Sequence, residues 1–206
     1  RYGLVGSEMC IRDRTNDGLI MTNHHVIDNS TEVRVIFEDG RMYEANIIGS
    51  DRLTDIGLVK IEASNLIPIA IGNSDKMLVG DLAVAIGHPL TLGAAPTVTT
   101  GVVSALERRL DVGGDVMGTS VTLFGLIQTD APITRGSSGG ALINKNGELI
   151  GITTAIATAD VGAEGLGFAV PVNLALNIAE GLLKDGKILH AFPVSYTHLR
   201  AHETVS

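Results

Sequence analysis

Three short stretches of the 206-residue chain carry the residue types of nucleophilic hydrolysis, in the order TNHHV (22–26), DRLTDIGLVKI (51–61) and TDAPITRGSSGGAL (129–142). A serine hydroxyl is a weak nucleophile at neutral pH. It needs an imidazole as base and a carboxylate that holds the imidazole's tautomer and stabilises its charged form. His24 and His25, Asp51 and Asp55, and Ser137 and Ser138 offer these three groups. Each piece alone is bland: a Gly-Ser run is what a solvated turn looks like, and a single histidine or aspartate is an ordinary surface residue. The transition state adds a constraint. In such a site the N–H groups of the nucleophile and of the residue two before it face the developing oxyanion, which favours glycine at the earlier position. Ser138 puts Gly136 there, whereas Ser137 would put Arg135 there, a worse fit.

The ordered set T-N-x-H-V, T-D-[LI] and G-x-S-G-G resembles the HtrA (Deg) family of trypsin-like serine proteases, from about residue 18 to about residue 189. The runs TVTTGVVSAL (97–106), LIQTDAPI (126–133), GITTAI (151–156) and GLGFAVPVN (165–173) are similar to that family as well. Carried over position by position, the resemblance implies His25 as general base, Asp55 as the group that orients it, and Ser138 as nucleophile. The N–H groups of Gly136 and Ser138 would form the oxyanion hole. The implied activity is serine endopeptidase action on unfolded or misfolded proteins through an acyl-enzyme, in extracytoplasmic quality control, with no cofactor and no metal. A non-catalytic holdase of unfolded polypeptides is the alternative the resemblance admits, and the intact triad speaks against it.

Other polar residues receive ordinary roles. His24 occupies the family's variable position and is expected on a strand, facing away from His25. Asp51 reads as a turn acid, Asp130 as support for the loop before the serine, and His88 as a turn residue. The family's usual G-N-S-G-G is G-S-S-G-G here, and its usual N-P before that is Thr134 and Arg135. Ser137 also stands where zymogen-type relatives carry an aspartate that captures a new N-terminal ammonium, so control by loop ordering at 107–122 and 155–165 is expected instead. For the specificity pocket, Ala131, Pro132 and Ile133 form a floor without an acid, and Ile152, Thr153, Thr154, Ala155 and Gly167 form a small apolar wall. A preference for small or medium aliphatic residues before the cut follows.

The elements that must position these groups are short. VRVIF (33–37) and MYEANIIG (42–49) flank Asp39 and Gly40 and read as a hairpin. IGLVKI (56–61), IPIAI (67–71) and LAVAIG (82–87) follow; after HPLTLGAAP (88–96), strands resume at 97–106, 123–129, 140–144, 148–156 and 165–170, with a second hairpin turn at Asn146 and Gly147. Residues 107–122 read as a polar, glycine-rich loop. One helix follows Asn173 as N-cap, with Leu174, Ile178 and Leu182 on one face and Gly186 as its stop. Many short strands in two groups indicate an all-β sandwich or barrel pair; the family resemblance implies a chymotrypsin-like double β-barrel with a C-terminal helix, its first barrel truncated at its N-terminus. Within a protease domain at 15–190, the first barrel is expected at 15–93, the second at 94–172, and the helix at 173–186.

The two ends read differently. Residues 4–14, LVGSEMCIRDR, and 194–204, VSYTHLRAHET, resemble one translated sequencing adapter, forward at the head and as its reverse complement at the tail. Segments 1–14 and 194–206 are therefore expected to be non-native and are set aside before fold reasoning. Residues 15–193 then hold 11 basic and 20 acidic residues, a net charge of about −9 with no basic cluster, which argues against nucleic acid as partner. The only cysteine, Cys10, lies in the head segment, which leaves no disulfide framework. Loss of a first-barrel strand is expected to leave an unpaired edge. By resemblance the longer protein would be periplasmic or extracytoplasmic, with a signal peptide or membrane anchor, one or more PDZ domains, and a homotrimeric or higher assembly.

Overall fold

The computed structural model describes the backbone of residues 2–6 and, in full, residues 18–88, 96–112, 121–134, 136–154 and 166–190. In chain order the elements are β1 (Tyr2–Gly6), β2 (Leu19–Thr22), the one-turn helix α1 (His24–Ile27), β3 (Glu32–Ile36), β4 (Met42–Asp51) and β5 (Ile56–Ile61). They continue with β6 (Leu82–Gly87), β7 (Thr97–Val112), β8 (Val121–Thr129), β9 (Ala141–Ile143), β10 (Leu149–Thr154), β11 (Gly167–Pro171) and α2 (Val172–Asp185). A five-stranded open sheet has the order β1-β3-β4-β5-β2, and β10-β11-β8-β7-β6-β9 close into a barrel. This is the chymotrypsin-like, strand-dominated architecture with one C-terminal helix.

Alternation along the strands sorts the apolar residues into three clusters. In β5, Val59 and Ile61 face the interior of the first sheet with Ile20, Val33, Val35 and Phe37. Ile56 and Leu58, on the opposite face, join Leu19 and Met21 in a core shared with Leu123, Leu149, Ile152, Val170 and the buried face of α2. The barrel has its own filling, including Ala83, Val103, Ile127, Leu142 and Ile150. The two sheets are therefore fused through a common dry interface, and burial of each large side chain there contributes about 1.5–3 kcal/mol.

Several sequence expectations are corrected. LAVAIG, placed at the end of the first barrel, is β6, paired with β7 and β9 in the second. The Gly/Pro stretch after it, of which 89–95 lies outside the described residues, joins β6 to β7 rather than one barrel to the other. The crossing is made instead by residues 62–81. IPIAI is not a strand: Ile71 forms a single bridge with Leu149, Ile67 is exposed, and Pro68 has no N–H to donate. The expected loop at 107–122 is shorter, because β7 runs on to Val112 and β8 begins at Val121 in a long antiparallel pair; 113–120 and the second expected mobile loop, 155–165, lie outside the described residues. The edge expected to be unpaired is covered, since β1, within the adapter-like head, runs parallel to β3. Helix α2 starts at Val172 after Pro171, so Asn173 sits in its first turn. There its backbone N–H donates to Ser74 Oγ at 3.1 Å. Gly186 ends the helix as expected, left-handed at φ 68° with its N–H on the Leu182 carbonyl at 2.8 Å.

Candidate active site

Strand β2 delivers the chain to Asn23, and α1 turns His24 and His25 back over β5. His24 is on this helical turn rather than a strand, with Nδ1 2.8 Å from Ser50 Oγ. His25 Nδ1 lies 2.9 Å from both carboxylate oxygens of Asp55. An ionised carboxylate only accepts, so the nitrogen facing it carries the proton and Nε2 is the basic nitrogen of the neutral ring. The Asp55 side chain is 4% exposed and that of His25 35%, which leaves the imidazole reachable and its partner dry.

Asp55 is held from several sides. Its carboxylate also accepts from the His25 backbone N–H at 3.1 Å and from Thr154 Oγ1 at 3.1 Å. Its backbone is left-handed, φ 57°, a conformation that costs a non-glycine residue roughly 1–2 kcal/mol. Two donors on its carbonyl, His24 N at 3.1 Å and Asn23 Nδ2 at 3.0 Å, hold it there. Upstream, Asp51 is buried and accepts from Thr54 N at 3.0 Å and Thr54 Oγ1 at 2.5 Å, while His190 Nε2 lies 2.7 Å from its other oxygen. The expected turn acid thus also ties the segment after α2 to the turn that carries Asp55.

The serine loop is pinned to β10. Ser137 N–H donates to the Thr134 carbonyl at 2.9 Å, and the Ser137 carbonyl accepts from Gly140 N at 3.0 Å and Thr153 Oγ1 at 2.5 Å. Gly136 and Gly139 have φ of 93° and 79°, values that L side chains resist. At Gly139 space is closed as well, because a Cβ would stand 2.4 Å from Thr22 Oγ1. Gly139 N–H donates to the Thr153 carbonyl at 2.9 Å and to Asn23 Oδ1 at 2.6 Å. That last bond fastens the residue after Ser138 to the residue two before His25. The three stretches, distant in sequence, form one hydrogen-bonded set.

Of the two serines, Ser138 is the more exposed; Ser137 is buried at 8% and lines a cavity of about 90 Å³ between the loop and strands β6 and β7. Among the expected pocket residues, Pro132 and Thr153 border this cavity. Ile133 packs so closely on Gly167 that a Cβ there would meet its Cδ1 at 2.7 Å. Ile152 is fully buried in the shared core rather than in a pocket wall, and Thr154 spends its hydroxyl on Asp55. Ala155 and Arg135 lie outside the described residues. Asp130 braces the loop by accepting from Val102 N at 2.7 Å. Sequence reading missed the bonding of Asn23, Thr154 and His190. For Asn23 the signal was in view, a polar residue inside the T-N-x-H-V motif.

Residues 9–152 match the family described as "Trypsin-like peptidase domain". A "Probable periplasmic serine protease do/HhoA-like" of Haemophilus influenzae is 48% identical over 185 residues, 89% of this chain and 38% of that protein. The "Periplasmic pH-dependent serine endoprotease DegQ" of Escherichia coli K12 is likewise 48% identical, over the same shares. The solved structure "HtrA-type protease AlgW with decapeptide" superposes with a TM-score of 0.73 at 39% identity, covering 84% of this chain and 50% of that one. The chain spans about two fifths of the length of the curated relatives it matches.

Proposed function

The chain belongs to the trypsin-like peptidases, with HtrA-type proteases as its relatives, and from that premise we propose that it is the protease unit of a serine endopeptidase acting on unfolded protein. In this reading Ser138 Oγ attacks the scissile carbonyl while His25 Nε2 takes its proton, and Asp55 stabilises the resulting imidazolium. The oxyanion is received by the N–H groups of Gly136 and Ser138. His25 then gives its proton to the leaving amine, and water hydrolyses the acyl-enzyme by the same route. The observation that carries the reading is the His25–Asp55 pair at 2.9 Å, with the serine loop tied through Gly139 N–H to Asn23, two residues before His25.

The periplasmic names of these relatives motivate a periplasmic or extracytoplasmic setting for the longer protein. A homotrimer or higher assembly, an anchor or signal peptide, and PDZ domains are proposed for it on the same family grounds. Small or medium aliphatic residues are proposed before the cut, since Pro132, Ile133 and Gly167 present no acid to pair with arginine or lysine. The protease unit is proposed to cover 15–190, with the first-sheet half ending near residue 61.

A serine-directed fluorophosphonate probe tests the reading without a guess at the substrate. A single adduct on Ser138, absent in Ser138→Ala, is expected by intact mass and peptide mapping. A folded chain that gives no adduct, or an adduct that survives Ser138→Ala, overturns it.

A further inference from the structure

Asn23 occupies the N-cap position of α1, where asparagine ordinarily turns its side chain onto the N–H of the second or third helical residue. It makes no such bond. The cap is made by Asp55, whose Oδ1 accepts from His25 N–H, the second residue of the turn, at 3.1 Å. The Asn23 carboxamide is directed away from its own helix. Oδ1 accepts from Gly139 N–H at 2.6 Å, a residue 116 positions along the chain, and Nδ2 donates to the Asp55 carbonyl at 3.0 Å. The residue is fully buried, so each bond is made out of water, and losing either leaves a buried polar group unpaired.

The two partners are the neighbours of the chemistry. Gly139 follows Ser138 directly, and the Asp55 carbonyl belongs to the left-handed residue whose carboxylate orients His25. The carboxamide carries an acceptor and a donor on one rigid plane and so meets both. We propose that Asn23 is a positioning residue of the catalytic site: its carboxamide sets the serine loop and the Asp55 backbone in register with each other across the interface between the two sheets. The kinetic half of this inference rests on the serine-protease reading. The geometric half, that Asn23 places Asp55 against His25, stands without it.

The test uses Asn23→Asp and Asn23→Ala in the whole chain, with the thermal midpoint measured alongside. The aspartate variant keeps the volume and the acceptor for Gly139 but sets a second oxygen against the Asp55 carbonyl, so it removes the donor without opening a cavity. The first readout is the rate of Ser138 phosphonylation per folded molecule; a fall of about 10²-fold is expected, the usual consequence of a displacement near 1 Å at a reacting centre. The second is the downfield proton resonance of the His25 Nδ1–H on Asp55, which is expected to shift or to exchange away in both variants. A role confined to stability would lower the thermal midpoint and leave both readouts of the folded protein as in the parent chain, and that result overturns the proposal. Should the parent chain itself not label, the protease reading fails while the resonance still decides on Asn23: movement supports positioning, and an unmoved signal rejects it.

Discussion

At the scale of single residues, Asp55 combines a buried carboxylate, four hydrogen bonds beyond the His25 ring and a left-handed backbone. Asparagine tolerates that backbone well, so Asp55→Asn is expected to keep the fold. Its amide can offer His25 Nδ1 a donor and select the wrong tautomer. A loss of about 10⁴-fold in turnover with little change in thermal midpoint is expected, measured by amidolysis of a chromogenic peptide. The pocket proposed at Pro132, Ile133 and Gly167 makes a second prediction at this scale. In a peptide library, cleavage after valine or alanine is expected to exceed cleavage after arginine or lysine, and faster cleavage after arginine would reject the proposed pocket. The residue types of the proposed triad are legible in the sequence because the chemistry demands them in fixed motifs. The orientation of the Thr154 hydroxyl toward Asp55, 99 positions away, was not, since nothing local marks it.

At the scale of elements, α2 is the piece that binds the C-terminal part of the chain to both sheets. It packs on β4, β5, β10 and β11, and its buried residues Val172, Ala175, Ile178, Ala179 and Leu182 form one helical face. Leu182 is fully buried, and its Cδ2 lies 3.1 Å from where a Cβ on Gly49 of β4 would stand. Leu182→Ala is expected to destabilise by about 2–5 kcal/mol in urea unfolding, with the active site of the remaining folded protein unaltered. The helix and its glycine stop were readable from spacing. Its first residue differs from the one spacing indicates, because Asn173, a strong cap former by type, bonds Asn73 and Ser74 across 100 and 99 positions instead.

For the whole molecule, one shared core joins the open sheet, the closed barrel and α2, and the Asn23–Gly139 and Thr154–Asp55 bonds cross the same interface. Halves that share their buried surface cannot unfold one at a time without exposing it. Unfolding of a Tyr196→Phe variant followed by tyrosine fluorescence, which then reports Tyr2 and Tyr43 of the first sheet, and by far-ultraviolet circular dichroism is expected to give coincident transitions. A separate early transition of the first sheet would show that the interface is weaker than its burial implies.

Local physics reaches a definite point in this chain. Hairpin turns at Gly40 and Gly147, strand alternation, the helix stop at Gly186 and the ordered histidine, aspartate and serine motifs are readable in the sequence, because each depends on neighbours within a few residues or on the intrinsic chemistry of a side chain. The tertiary structure decided that LAVAIG belongs to the second barrel, that IPIAI makes only a bridge, and that Asp51 meets His190. It also decided that Asn23 abandons its local cap for Gly139. These are pairings between residues far apart in the chain, chosen by which partner remains available once the apolar faces have been buried. No window of sequence contains both members.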